Sequence, residues 1–372
     1  MHKIIVLLTF VFFIFSCKKT TDTIKNNDTE YSFNKKRTIV ISVDNTTDNI
    51  PANIQFIEKS NQIVILNKST NAIQFYDFKD KGKEVKKIVL QVEGPNGVGN
   101  IADFLVHTPD SIFVLDANVF KLNLVNRTGE VITTYNLYNK GANTQNAKPN
   151  PFPFTPLVLK DNKIYISSTP FTQENAKYYE REGCVIIVDL VNKNTTIKYR
   201  FPEICKKNIY PSMLINVFNR TYSPKHKKFI HSFSVDDHIQ VTDYETNTAY
   251  LANSKNLPFV EPLKQEILDP SESNRIANRT SIFSSIHYDN FKDVFYRCAL
   301  IRKPGIEPKS SVKQTRTFII LDTNFEKIGE TETVPLDNSS LKPVFTKEGM
   351  WLLNLKSPED FITYDLFELT KK

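Results

Sequence analysis

At 372 residues, 40% hydrophobic and 12% aromatic, the chain carries enough apolar surface for a large core, which excludes an intrinsically disordered polymer. The net charge of +7 comes from lysines scattered along the sequence, without the clustered Arg and aromatic residues of a nucleic-acid groove. Beyond Cys17 the cysteines are Cys184, Cys205 and Cys298, with no CxxC spacing, which argues against zinc; whether Cys184 and Cys205 pair is left open.

The chain opens with Lys3 and an apolar stretch from Ile4 to Phe15, short for a bilayer span, followed by Ser16 and Cys17. This arrangement resembles the lipobox of bacterial lipoproteins, although Ile14 and Phe15 replace the usual Leu and small residue. The resemblance implies that residues 1–16 are a signal peptide and that Cys17 is lipidated, with its acyl chains supplying the anchoring that stable attachment needs. Lys18 to Asn34 is polar and lacks apolar periodicity, so 17–34 reads as a flexible tether and the folded body as 35–372. Lys18 and Lys19 behind the Cys favour the outer membrane under the enteric sorting rule.

Arg37 to Val43 (RTIVISV) reads as a strand with no partner nearby. Six times thereafter a short apolar run precedes a second strand that ends in an acid or amide. IVIL from Ile63 leads to IQFYD at Asp77, and IFVL from Ile112 to LNLVN at Asn126. IYIS from Ile164 leads to IIVDL with Asp189, and FIHSF from Phe229 to IQVTD at Asp243. VFYRC from Val294 leads to IILDT with Asp322, and MWLLN from Met350 to FITYD at Asp365. A repeat of about 45 to 65 residues made of short strands predicts a β-propeller.

Inner strands are expected at Ile54–Ile57, Ile101–Val106, Pro156–Leu159, Ile215–Tyr222, Ile282–His287 and Pro343–Phe345. Outer strands are expected at Lys86–Val92, Val131–Leu137, Thr196–Phe201, Thr248–Leu251 and Glu326–Thr333. The last blade runs out of chain before its outer strand, and pairing with Arg37–Val43 would complete it. The expected fold is thus all-β, a six-bladed β-propeller closed by the N-terminal strand in one domain. The repeated Asp and Asn residues read as acceptors for backbone N–H groups in the following turns, not as catalysts.

Long connections gather on one face: Tyr138 to Thr155, Ser168 to Gly183, Asn253 to Ser281 and Arg302 to Thr315. Loops of such length are commonly functional. Glu261 to Leu268 (EPLKQEIL) reads as a short helix stopped by Asp-Pro, placed to act as a lid. Gly94 to Gly99 (GPNGVG) lacks the Lys and helix of a phosphate loop and reads as a tight turn. His226, His231 and His238 read as isolated histidines, and neither a metal nor a cofactor is expected. The channel-facing positions Asp103, Asn219, Arg220, His287, Tyr296, Arg297 and Arg302 are the candidate ligand-binding residues, since Arg grips carboxylate or sulfate through bidentate hydrogen bonds.

The lipobox, polar tether and repeat together resemble the uncharacterised families of bacterial six-bladed propeller lipoproteins, of the kind related to TolB and NHL repeats. That resemblance implies an envelope location and carries no functional residue beyond Cys17. The expected function is a non-enzymatic, lipid-anchored and monomeric protein that binds a glycan, peptide or envelope protein through its long-loop face. The alternative is a glycan-degrading hydrolase or lyase with its site at the channel mouth.

Overall fold

The computed structural model describes residues 29–138, 147–170, 183–210, 218–257, 260–264, 267, 269–302 and 314–372. Strand β1 spans Glu30–Ser42. The first sheet is a meander of β2 (Ile54–Ile57), β3 (Gln62–Asn67), β4 (Ala72–Asp77) and β5 (Glu84–Val89). The second repeats it with β6 (Asp103–Thr108), β7 (Ser111–Asp116), β8 (Lys121–Val125) and β9 (Val131–Asn136). In the third, β10 (Ala147–Pro149) and β11 (Val158–Lys160) share one edge of β12 (Lys163–Pro170), followed by β13 (Val185–Asp189) and β14 (Thr195–Lys198). The fourth holds β15 (Phe218–Ser223), β16 (Lys228–Phe233), β17 (His238–Thr242) and β18 (Asn247–Leu251).

The remaining strands form one continuous sheet of nine. One meander in it is β19 (Ile282–Asp289), β20 (Val294–Arg302), β21 (Gln314–Leu321) and β22 (Lys327–Thr331), with β23 (Val334–Pro335) beside β21. The other is β24 (Asn338–Thr346), β25 (Gly349–Asn354) and β26 (Phe361–Lys371), and β1 lies between β22 and β26. Among the described residues two short helices, α1 (Glu203–Lys207) and α2 (Pro270–Ala277), sit in connections. The architecture is all-β and propeller-like.

Burial follows strand position. In β7 every residue from Ile112 to Asp116 is buried, because a strand covered on both faces takes a continuous apolar run. Outer β9 has alternating exposure over Val131–Thr134, as expected where one face meets water. Among the described residues the core divides into six clusters, each drawing on two groups of strands. Ile65 and Tyr76 of the first sheet pack with Ile39, Trp351 and Tyr364, so the beginning and end of the chain share one cluster. Interdigitation of this kind stabilises by roughly 25 cal/mol per Å² of apolar surface removed from water.

β1 pairs antiparallel with β26 from Tyr31↔Lys371 to Ser42↔Phe361, and its first two residues pair parallel with Glu330 and Thr331 of β22. Its other end meets the first sheet, where Ser42 N donates to Gly82 O at 3.0 Å. A Cβ at Gly82 would come within 2.1 Å of Asp77 O, so the crossing needs glycine there. The strand starts ahead of the expected boundary at Lys35, and residues 30–34 belong to the sheet rather than to the tether. The reason is Phe33, which stacks on Phe367 at 4.3 Å and packs on Phe318 at 5.2 Å.

The expected helix at Glu261–Leu268 does not form at its described residues; Leu263 bridges Ile209 instead. The helix is α2, and the Asp-Pro read as a stop is its start: the Asp269 side chain accepts from Ser271 N at 2.9 Å and Pro270 occupies the first turn. Turn acceptors form as expected at Asn126, Asp189, Asp243 and Asp322, each taking two backbone N–H groups on Oδ1. Asp77 instead pairs with Lys79, and Asp365 lies in the middle of β26. In an antiparallel meander the first and third turns share one end, and these are short throughout. The long connections leave from the other end, and they include one the sequence reading passed over, the link from β14 to β15 that carries α1.

Candidate functional site

The residues expected at the channel mouth divide on inspection. Asp103 and His287 gather around a residue that the sequence reading did not single out, Lys342. In β24 the register runs Ser339↔Leu353 and then Val344↔Trp351, so Ser340 to Pro343 loop out opposite Leu352 alone. Pro343 has no N–H to continue the ladder. From this loop Lys342 Nζ donates to Ile54 O at 3.2 Å, and Ser340 O accepts from His287 Nε2 at 2.7 Å. Burial pushes the His287 pKa down to about 4. Burial also raises the pKa of Asp103, against the opposing pull of Lys342 and of the Asn53 amide, which donates to it at 3.0 Å. Asp103 Oδ2 has no hydrogen-bond partner, and neither does either amide atom of buried Asn219.

The arginines expected to grip a ligand donate to backbone carbonyls of neighbouring elements, while Nε and Nη1 of Arg220 and Nε of Arg302 have no hydrogen-bond partner. Arg297 is fully buried and donates to Ser232 Oγ and to the carbonyls of Phe233, Asp236, Asp237 and Ala252, with Phe283 beneath it at 3.5 Å. Arg220 Nη2 donates to Pro156 O at 2.8 Å and Tyr165 O at 3.2 Å, tying the fourth sheet to the third. Arg302 Nη1 donates to Ala277 O and Thr280 O, where cationic charge suits the C-terminal end of α2. Tyr296 is core, stacked on Phe345 at 5.8 Å. Cys17 lies outside the described residues.

Among the described residues no group of three or more His, Cys, Asp or Glu is arranged to hold a metal ion. His231 is buried against Tyr199 and meets Tyr244 OH at 3.1 Å, whereas His238 turns to Asp236, so the two do not converge. Cys184 and Cys205 are free thiols in one aromatic cluster. At the short-turn end, Asp293 receives His226 at 2.9 Å, Tyr288 OH at 2.7 Å and Lys225, joining the first turns of neighbouring meanders.

A cavity of about 380 Å³ opens elsewhere, between the two meanders of the nine-stranded sheet, at the end from which the long connections leave. None of the residues expected from the sequence lines it. Its centre is Asp365, 1% exposed. Oδ1 accepts from Thr38 Oγ1 at 2.6 Å and from Lys35 Nζ at 2.7 Å, and Oδ2 accepts from the amides of Asn338 at 2.8 Å and Asn354 at 2.9 Å. Burial alone would raise the Asp365 pKa, but Lys35, Thr38 and Asn338 together hold it below the usual carboxylate range. Lys35 reaches the carboxylate from a bulged stretch of β1: the pairing shifts between Lys35↔Phe367 and Arg37↔Leu366, leaving Lys36 as the extra residue.

Arg316, 1% exposed, also lines the cavity, and its Nη1 donates to Asn338 O. Its Nε has no partner, and no carboxylate of the described residues lies within ion-pair distance. Phe33, Phe367, Val334 and Pro335 supply an apolar side, and the Lys356–Asp337 pair at 2.8 Å stands at the exposed rim. The arrangement can orient a small ligand by polar contacts around Asp365 and Arg316, with its body against the apolar side. One signal for Asp365 was present in the sequence: in FITYDLFELT the apolar alternation continues past the acid, with no turn residue.

This layout of strands and connections can be set beside known proteins. The model of a domain of unknown function, DUF4221, matches residues 30–332. The chain belongs to the DUF4221 family. That match begins with β1 and ends after β22, so Asn338, Asn354 and Asp365 lie beyond it. A crystal structure of a DUF4221 member from Bacteroides vulgatus has a TM-score of 0.80 at 20% identity, covering 93% of this chain and 100% of its own. A protein from Bacteroides fragilis provisionally described as exported has a TM-score of 0.52 at 12% identity, covering 94% of this chain and 98% of its own. At these identities the likeness is one of fold. No curated protein matches the sequence.

Proposed function

We propose that this DUF4221 chain is a lipid-anchored, non-enzymatic binding protein of the bacterial envelope, whose six-bladed propeller is closed by β1 and binds its ligand on the long-connection face. The outer membrane is the proposed location, through Cys17, with a glycan, peptide or envelope protein as partner and the protein acting as a monomer. The lipobox-like Ser16–Cys17 step supports the anchor. The six clusters and the pairing of β1 with β26 support the closed ring.

The observation that carries the reading is the Asp365 cavity at the long-connection end. A glycan hydrolase or lyase needs a carboxyl with a raised pKa facing a second carboxylate or a free base. Asp365 is held below its usual range and both its oxygens are occupied by donors, which favours binding over catalysis.

The anchor is tested by membrane fractionation of cells carrying Cys17→Ser: the variant is expected in the soluble fraction, and continued membrane association of a processed chain would count against lipidation. Binding is tested on glycan and peptide arrays with the mature protein in detergent, beside a Val334→Trp variant that fills the cavity. Capture lost in the variant supports the reading, and capture unchanged by it places the site elsewhere.

A further inference from the structure

Arg316 is the charge in the Asp365 cavity that makes no direct ion pair among the described residues, with Asp337 acting on it only at longer range. Lys35 is paired with Asp365 and Lys356 with Asp337, so of three cations and two carboxylates in the lining, the buried guanidinium remains over. An ionised group taken out of water is costly unless paired or richly hydrogen-bonded. Arg297 shows the satisfied case in the same fold, with a carbonyl or hydroxyl on each nitrogen of its guanidinium. Arg316 has one carbonyl, on Nη1, and its buried Nε lacks an acceptor.

We propose that the cavity binds a small carboxylate, held by the Arg316 guanidinium, with a flat apolar face of the ligand against Phe33, Phe367 and Pro335. This rests on the reading of the cavity as the binding site. A planar carboxylate matches the guanidinium fork better than a tetrahedral oxyanion does, because two parallel N–H···O bonds form in one plane. The Asn338 and Asn354 side chains, fixed by Asp365, also line the cavity and can meet hydroxyl or carbonyl groups of the ligand body. A volume of about 380 Å³ suits one ring-sized ligand or the terminal unit of a longer one.

The test is calorimetric titration of the mature protein in detergent with benzoate and glucuronate, beside their uncharged analogues benzamide and glucose and beside inorganic sulfate. At least one acid is expected to bind ten-fold or more tightly than its neutral analogue and than sulfate. The two acids distinguish an aromatic body from a sugar body. Arg316→Gln is expected to weaken that acid at least ten-fold while leaving the neutral analogue unchanged. The comparison of acid with neutral analogue uses the wild-type chain and so stands even if the variant does not fold. Equal binding of the two in the wild type, or a folded Arg316→Gln that keeps its affinity for the acid, overturns the proposal. If in either case Val334→Trp abolishes the binding, the cavity survives as a site and the carboxylate alone is wrong. Failure of both acids to bind at millimolar concentration also overturns the carboxylate, and the array comparison then decides the cavity separately.

Discussion

Asp365 sits in the sixth copy of a pattern whose other acids and amides mostly serve turns, yet it is a buried carboxylate that accepts from four side-chain donors. Removing it leaves the buried Asn338 amide short of its carboxylate acceptor and the part-buried Thr38 hydroxyl without its partner. Asp365→Ala is therefore expected to cost about 3 kcal/mol in urea unfolding, against about 1 kcal/mol for Asp189→Ala in an exposed turn. Because its pKa is held below the unfolded value, the stability it contributes is complete above the ordinary carboxylate range and is lost as pH falls through the lower folded pKa. His287 acts over a higher window. Its folded pKa is pushed down to about 4 by burial, so protonation favours the unfolded chain and stability declines as pH falls from about 6.5 towards that value. His287→Gln should flatten the unfolding free energy over that window by on the order of 2 kcal/mol, less than the full shift implies because the ring is partly exposed. The buried arginines were legible as residues and not as staples: a guanidinium on backbone carbonyls leaves no periodicity in the chain. Their apolar replacement separates the roles. Arg297→Met abandons the carbonyls of Phe233, Asp236, Asp237 and Ala252 and is expected to lose at least about 3 kcal/mol, whereas Arg316→Met removes a buried charge that makes no direct ion pair and should leave the unliganded midpoint unchanged or higher.

At the scale of elements, the strands covered on both faces were readable because continuous apolar runs such as IFVL and IIV admit few other placements. Strand ends were less so. β24 was read as Pro343–Phe345 and instead runs Asn338–Thr346, because its loop-out hides a strand behind residues with no alternation. That loop-out carries Lys342 to the first sheet, so its position depends on tertiary contacts that a local pattern does not contain. The helix error has a sharper cause. Asp-Pro ends one segment and begins the next equally well, and the packing of Ala277 and Ser273 decides for α2. Asp269→Ala is expected to cost about 1 kcal/mol and to loosen α2 in amide exchange, without disturbing the strands on either side.

Across the whole molecule, each core cluster lies between two groups of strands, and the one joining the chain's beginning to its end makes no single sheet independent of the rest. The period of the repeat made this arrangement legible. The cavity was not, because it forms where β1 and β26 meet β21 and β24, at a junction of segments far apart in sequence. The site and the pairing of β1 are therefore coupled: Phe33 and Lys35 of β1 both line the cavity, which lies beside the β1–β26 pair. The most direct test is native-state hydrogen exchange of the β1 amides from Phe33 to Ile41. Protection equal to that of the partner strand β26 is the result this account requires. Exchange of β1 at the rate of an unstructured chain, while β26 stays protected, would contradict both the closed ring and the site built on it.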